Sequence, residues 1–274
     1  MHTVVARGDR RVRNLALSTV LLFVGGVVGA VTVKPSSADE SRLVAAAAAT
    51  ARTGTARVAM TSKVSVGGSD VTGKGEGVAD FAAEKASMTM DLPGAGGTMR
   101  VVTVGKVAYL QGSVYQPIAQ GKQWVSIDVG QFVQGFGATS GGGADVLSAL
   151  RALEDDGVVR DVREVGADEV RGVRTVQYTG DYEPDALLRQ LTDGNEGMRE
   201  MLRSVRMSAA SVSVWVSDDD LVRRVVTTTT MTVGGTSLDS TTTIDLFDFG
   251  IPVQIDVPPA DQVHRLEFPL RAAG

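Results

Sequence analysis

The sequence predicts an α+β fold, a strongly curved antiparallel β-sheet with helices over its concave face. Three observations predict it. Glycine (32 residues), with abundant Val and Thr, implies many short strands joined by tight turns rather than a helical bundle. Segment after segment alternates apolar and polar residues with period two, the signature of a half-buried strand. Hydrophobic residues make up 43% and charged residues 22%, enough for a sizeable core, while 5% aromatics leave Val, Ala, Leu and Met to fill it. No linker divides the chain, so residues 39–274 read as one domain behind an N-terminal segment of residues 1–38.

That segment is basic from Arg7 to Arg13 and apolar from Leu15 to Val33 apart from Ser18, Thr19 and Thr32, with Pro35-Ser36-Ser37-Ala38 following. The order matches a secretory signal cleaved after Ala30 or Ala38. At about 19 residues the apolar run equally suits an uncleaved membrane anchor, Leu15 to Val33. Both readings export the rest of the chain to the outer face of the cytoplasmic membrane, the cell envelope or the medium.

Ser41 to Arg52 has high helix propensity and no breaker before Gly54. Thr55 to Val66 then sets Ala56, Val58, Met60, Val64 and Val66 on one face against Arg57, Thr61, Lys63 and Ser65 on the other. Gly67-Gly68 and Gly73 to Gly77 read as turns. Ala86, Met88, Met90 and Leu92 alternate up to Pro93-Gly94, and Thr98 to Val104 pairs with Val107 to Leu110 through Gly105-Lys106, which suits a type II′ hairpin. Trp124 to Asp128 is a short strand, and Asp145 caps a helix with Val146, Leu147, Leu150 and Leu153 on one stripe.

Val158 to Val165 and Val170 to Thr179 are expected as strands around a turn at Ala167-Asp168-Glu169. Helical pieces follow from Asp185 to Leu191 and from Glu196 to Met207. Val212, Val214 and Val216 alternate before the acidic turn Asp218 to Asp220, then Leu221 to Val233 and Thr236 to Phe247 are strands. Pro258-Pro259 is expected to close the regular structure. A continuous antiparallel sheet of roughly ten or eleven strands must curl, and three helical pieces are available to cover its dry face.

Composition excludes several chemistries. With no cysteine there is no disulfide, thiolate metal site or Cys nucleophile. Residues 1–38 carry five basic residues and one acid, so of 27 basic and 32 acidic residues the remainder keeps 22 and 31, too acidic a balance for nucleic acid. The two histidines, His2 and His264, build no His-Asp-Ser set, and His264 beside Arg265 reads as a solvated surface residue. Asp248-Phe249-Gly250 has the letters of the kinase metal-binding tripeptide without the other kinase signatures. Asp218, Asp219 and Asp220 are explained by a hairpin turn without calcium, and no helix opens after Gly73, Gly75 and Gly77 to make a phosphate cradle. No catalytic residue, metal or cofactor is assigned.

What remains is a dispersed apolar set. Met is flexible and polarizable, and in a chain with few aromatics it suits a face that accommodates varied apolar partners. Strand facing assigns Val58, Met60, Met88, Met90, Met99, Val101, Val214 and Val225 to an apolar cavity, with Leu187, Leu191 and Met201 covering its mouth. A one-residue error in facing would exchange the whole set.

Three groups of residues carry a family resemblance. They are Gly166-Ala167-Asp168-Glu169-Val170-Arg171-Gly172-Val173 with Tyr178, Val214-Trp215-Val216-Ser217, and Phe249-Gly250-Ile251-Pro252-Val253 leading to Pro258-Pro259-Ala260-Asp261. With the Ala-rich first helix and Trp124, their order and spacing over residues 41 to 263 resemble the actinobacterial LppX/LprG-type lipoprotein family, which has the LolA-like half-barrel fold. The resemblance implies a cavity between a bent sheet and helices, filled by the acyl chains of a lipid or glycolipid and used in transport across the envelope with a transport partner. Such members carry a lipobox cysteine, absent here, so that Leu15 to Val33 or free secretion sets the location. Beside a non-catalytic lipid carrier stand a membrane-anchored lipid-sensing or protein-binding envelope module and an envelope hydrolase. The hydrolase needs a nucleophile or metal that the sequence does not display.

Overall fold

The computed structural model describes residues 38–93, 97–128, 159–182, 205–233 and 235–266. Ala38–Arg52 forms helix α1, with Asp39 and Glu40 in its first turn, where the helix dipole favours acids. Its buried residues Glu40, Leu43, Ala46, Ala47 and Thr50 recur at helical spacing and make one stripe. Ala46 and Ala47 are almost fully buried, so the helix backbone lies close on the strands.

The strands are β1 Thr55–Val66, β2 Ser69–Asp80, β3 Lys85–Leu92, β4 Gly97–Val104, β5 Val107–Gln111, β6 Trp124–Asp128, β7 Val159–Val170, β8 Val173–Tyr182, β9 Val205–Ser217, β10 Val222–Val233, β11 Thr236–Phe247 and β12 Val263–Leu266. They form one 12-stranded sheet in the order β12-β6-β5-β4-β3-β2-β1-β11-β10-β9-β8-β7. The sheet is not closed, for β12 and β7 are its edges. Every neighbouring pair is antiparallel except β12 with β6.

Because side chains alternate along a strand, cross-strand partners on the inner face line up as rows. The first row is mostly alanine, running Ala56, Ala79, Ala86, Thr103, Ala108 and Ile127 across β1 to β6. The second holds Leu246, Val58, Gly77, Met88, Val101, Leu110 and Val125. The third holds Tyr178, Val214, Val225, Ile244, Met60, Gly75, Met90 and Met99. Apart from the two glycines, all of these second- and third-row residues belong to one buried core cluster, to which α1 adds Leu43, Ala46 and Ala47. The fourth row is Gly180, Val212, Thr227, Thr242, Ser62 and Gly73, the fifth Ala210, Thr229, Ser240, Val64 and Val71. A small second cluster, Val64, Met231 and Leu238, closes the far end.

Several expectations are corrected. Gly73 to Gly77 is not a turn but the middle of β2, where β3, backbone and side chains together, occupies the space over the glycines. Ala167-Asp168-Glu169 lies inside β7. The turn is Arg171-Gly172, with φ of 53° and 80°, where glycine takes the second left-handed position of a two-residue hairpin. Regular structure does not end at Pro258-Pro259: Ala260–Gln262 makes a 3₁₀ turn, and β12 follows to pair parallel with β6. His264 is therefore half-buried in a strand rather than solvated. The sheet has 12 strands, not ten or eleven.

Val205 to Met207 belong to β9, where they pair with β10, so the helix expected up to Met207 cannot reach it. The rest of that helix, those at Asp145 and Asp185 to Leu191, and residues 1–37 lie outside the described residues. Among the described residues, α1 is the one α-helix on the inner face. The Gly105-Lys106 hairpin, α1 and β11 stand as expected.

A β-carbon on Gly77 would stand 2.1 Å from the Ser87 carbonyl oxygen, whereas on Gly73 it would meet the movable Leu92 Cδ2 at 2.5 Å. Gly77→Ala should therefore cost about 3 kcal/mol and Gly73→Ala about 1 kcal/mol in urea unfolding. Equal losses would contradict the close approach of β2 to β3.

Candidate functional site

The eight described residues assigned to the cavity fall in two neighbouring rows. Val58, Met88 and Val101 are in the second, and Met60, Met90, Met99, Val214 and Val225 in the third. All eight are buried in the same cluster and share one face of β1, β3, β4, β9 and β10. Leu187, Leu191 and Met201 lie outside the described residues.

Along the middle of β2, between Val71 and Ala79, the inner face has no side chains. Gly73, Gly75 and Gly77 make a trench that β3 covers with side chains and backbone: a β-carbon on Gly75 would stand 2.8 Å from Met90 Cγ and 2.9 Å from the Thr89 carbonyl oxygen, and one on Gly77 2.8 Å from Met88 Cα. Unbranched Met fills such a gap and leaves it by rotamer change more readily than Val or Leu. Sequence reasoning missed the trench, though its signal is present: the three glycines recur with strand period two. Leu92, Leu110, Tyr178, Ile244 and Leu246 extend the same apolar surface. Tyr115, from a 3₁₀ turn after β5, donates its hydroxyl to Met99 Sδ at 3.0 Å, and burial pushes its phenol pKa up.

No protein-family model matches the chain, and no curated protein does. Solved structures do match. The chain is similar to lipoprotein LppX of Mycobacterium tuberculosis at 15% identity and a TM-score of 0.43, covering 79% of this chain and 99% of that one. It is similar to LprF from Mycobacterium bovis at 13% identity and a TM-score of 0.40, covering 82% and 99%. A LolA superfamily protein from Nitrosomonas europaea follows at 9% identity and a TM-score of 0.31, covering 78% and 94%.

Behind the two apolar rows, the opposite face carries a polar lock. Arg224 on β10 donates to both carboxylate oxygens of Asp245 on β11, at 2.6 and 2.9 Å. Trp215 on β9 donates its indole N–H to Asp168 on β7 at 2.8 Å, and Arg224 lies 5.8 Å over the Trp215 ring. Trp215 sits between Val214 and Val216, Arg224 beside Val225, and Asp245 between Ile244 and Leu246, so the lock holds the strands whose alternate residues line the site. Two of the groups that carry the family resemblance thus meet in space as one hydrogen bond, Asp168 with Trp215. The third, at Phe249-Gly250-Ile251, ties the start of β1: Gly250 N–H donates to the Thr55 carbonyl at 2.9 Å, and Thr55 Oγ1 donates to the Ile251 carbonyl at 2.6 Å.

The acidic turn works the same way at the edge of α1. Arg223 donates to Ser217 Oγ at 2.8 Å and pairs with Asp219 at 2.7 Å, while Thr50 on α1 accepts the Val222 N–H at 2.8 Å. Among the described residues no group of three or more His, Asp or Glu is placed to hold a metal ion, and no helix is long and apolar enough to cross a membrane.

The Trp215 indole, then the Glu169 amide, hold the Asp168 carboxyl below its ordinary value. A depressed carboxylate stabilises the fold above its unfolded pKa of about 4, and that contribution is lost as pH falls through the lower folded value. Wild type should therefore be more stable than Asp168→Asn at pH 7, the gap narrowing below about pH 4 in urea unfolding followed by Trp fluorescence. A gap independent of pH would contradict the bond.

Proposed function

We propose that the chain is an exported envelope carrier that holds the acyl chains of a lipid or glycolipid against the inner face of the sheet, without catalysis. The observation that carries this reading is the pair of apolar rows crossing the glycine trench. The third row runs over eight neighbouring strands, roughly 34 Å at about 4.8 Å per strand, longer than an extended fatty acyl chain. It is lined by Met60, Met90 and Met99, side chains that re-pack around ligands of different shape. Over Gly73 the neighbouring atoms include the ends of the Leu92 and Met90 side chains, which a rotamer change can move aside. Hydrocarbon placed there exchanges water for apolar contacts at about 25 cal/mol per Å².

Residues 1–38 supply the export signal or the anchor in this reading, and the acidic domain of residues 39–274 supplies the binding surface, handing its cargo to an envelope transport partner. The test is extraction of the purified full-length protein followed by lipid mass spectrometry, then uptake of a fluorescent fatty acid by the stripped protein. Acyl material close to one lipid per chain, and saturable uptake after stripping, are expected. Neither lipid in the extract nor uptake by the stripped, folded protein would overturn the carrier reading.

A further inference from the structure

We propose that the fourth and fifth rows of the inner face form a hydroxyl-lined subsite for the ester or hydroxyl group of a lipid whose acyl chain lies in the second and third rows. The inference rests on the carrier reading and deepens it, because it says what chemistry adjoins the hydrocarbon and which way the ligand points. Ser62 on β1, Ser240 and Thr242 on β11, and Thr227 and Thr229 on β10 stand side by side on three neighbouring strands. The apolar pattern resumes beyond them with Met231 and Leu238, so the strip is an interruption of a dry surface and not its edge.

Burying a hydroxyl is unfavourable unless it finds a partner, and Val, nearly the shape of Thr, would avoid the cost. The same face uses Val at Val64, Val212, Val214 and Val225. Ser62 and Thr242 satisfy each other in part, with their hydroxyl oxygens 3.1 Å apart, and each oxygen keeps further hydrogen-bonding capacity. Thr229 and Ser240 stand beside them, each only 9% exposed. Tyr182, at the end of β8, brings a sixth hydroxyl near Thr227.

The helix gives the direction. α1 ends its coverage at the third row, where Arg42 lies 6.0 Å over the Tyr178 ring and Asp39 accepts the Glu164 N–H at 3.1 Å. The hydroxyl rows lie beyond that helix end, and Thr227 among them is only half-buried. A lipid held in the core therefore has its hydrocarbon beside α1 and its polar end toward the Gly67-Gly68 turn.

Two pyrene-labelled probes of equal chain length test this, a hydrocarbon and the methyl ester of the corresponding acid, each affinity corrected for the probe's partition between water and hexadecane. Wild type should hold the ester roughly tenfold tighter, the scale of one or two buried hydrogen bonds. Thr227→Val/Thr229→Val/Thr242→Val should bring that ratio near one while hydrocarbon affinity is kept. Should the triple variant not fold, Thr229→Val alone is expected to lower the ratio about threefold. Equal corrected affinities in wild type, or a ratio unchanged in a folded variant, would overturn the subsite and leave the carrier intact. A wild type that binds neither probe would overturn the carrier reading, and the subsite with it.

Discussion

The pairing of β1 with β11 is the constraint on which the rest of the structure depends. It joins the half of the sheet running from β2 to β6 and β12 to the half running from β10 to β7, and it brings together residues about 180 positions apart. A slip of one residue would turn Arg57, Thr61 and Lys63 inward and expose Val58, Met60 and Val64. Several contacts fix the register: the Ser62–Thr242 hydroxyl pair, the two bonds of Thr55 with Gly250 and Ile251, and the Arg57–Asp248 ion pair at 3.3 Å. The ion pair is exposed on both sides and contributes little, so backbone bonds and row packing carry most of the specification.

Once that register is set, the two faces divide the work. The outer face is held by directional contacts, Arg224 with Asp245 and Trp215 with Asp168, which tolerate water and fix the strands relative to one another. The inner face is held by non-directional packing, and at Gly73, Gly75 and Gly77 of β2 by the close approach of β3. A rigid outer lattice behind an adaptable apolar lining is a physically consistent way to accept a long, featureless ligand without loosening the fold.

Much of this was legible from residue patterns, because period two in β1, β3, β9 and β11 reports burial directly. Thr236–Phe247 is legible to the residue, and the alternation puts Met60, Met90 and Met99 on one face, where they share a row. Where glycine dominated, the reading failed: Gly73, Gly75 and Gly77 have strand spacing but turn composition, and only the close approach of β3, backbone and side chains, shows why a strand needs them. β12 has four residues, Val263–Leu266, too few for any period to show, and its partner lies far back in the chain at Trp124. The polar lock was invisible for the same reason, since Asp168 and Trp215 stand 47 residues apart and nothing local links them.

The functional account reduces to where hydrocarbon sits, and that position can be marked. A fatty acid carrying a photoreactive diazirine near its methyl end, irradiated with the stripped full-length protein and mapped by peptide mass spectrometry, should label peptides containing Met60, Met88, Met90 or Met99. Labelling confined to outer-face segments, or no more in the folded than in the urea-unfolded chain, would contradict the claim that the two apolar rows are the site.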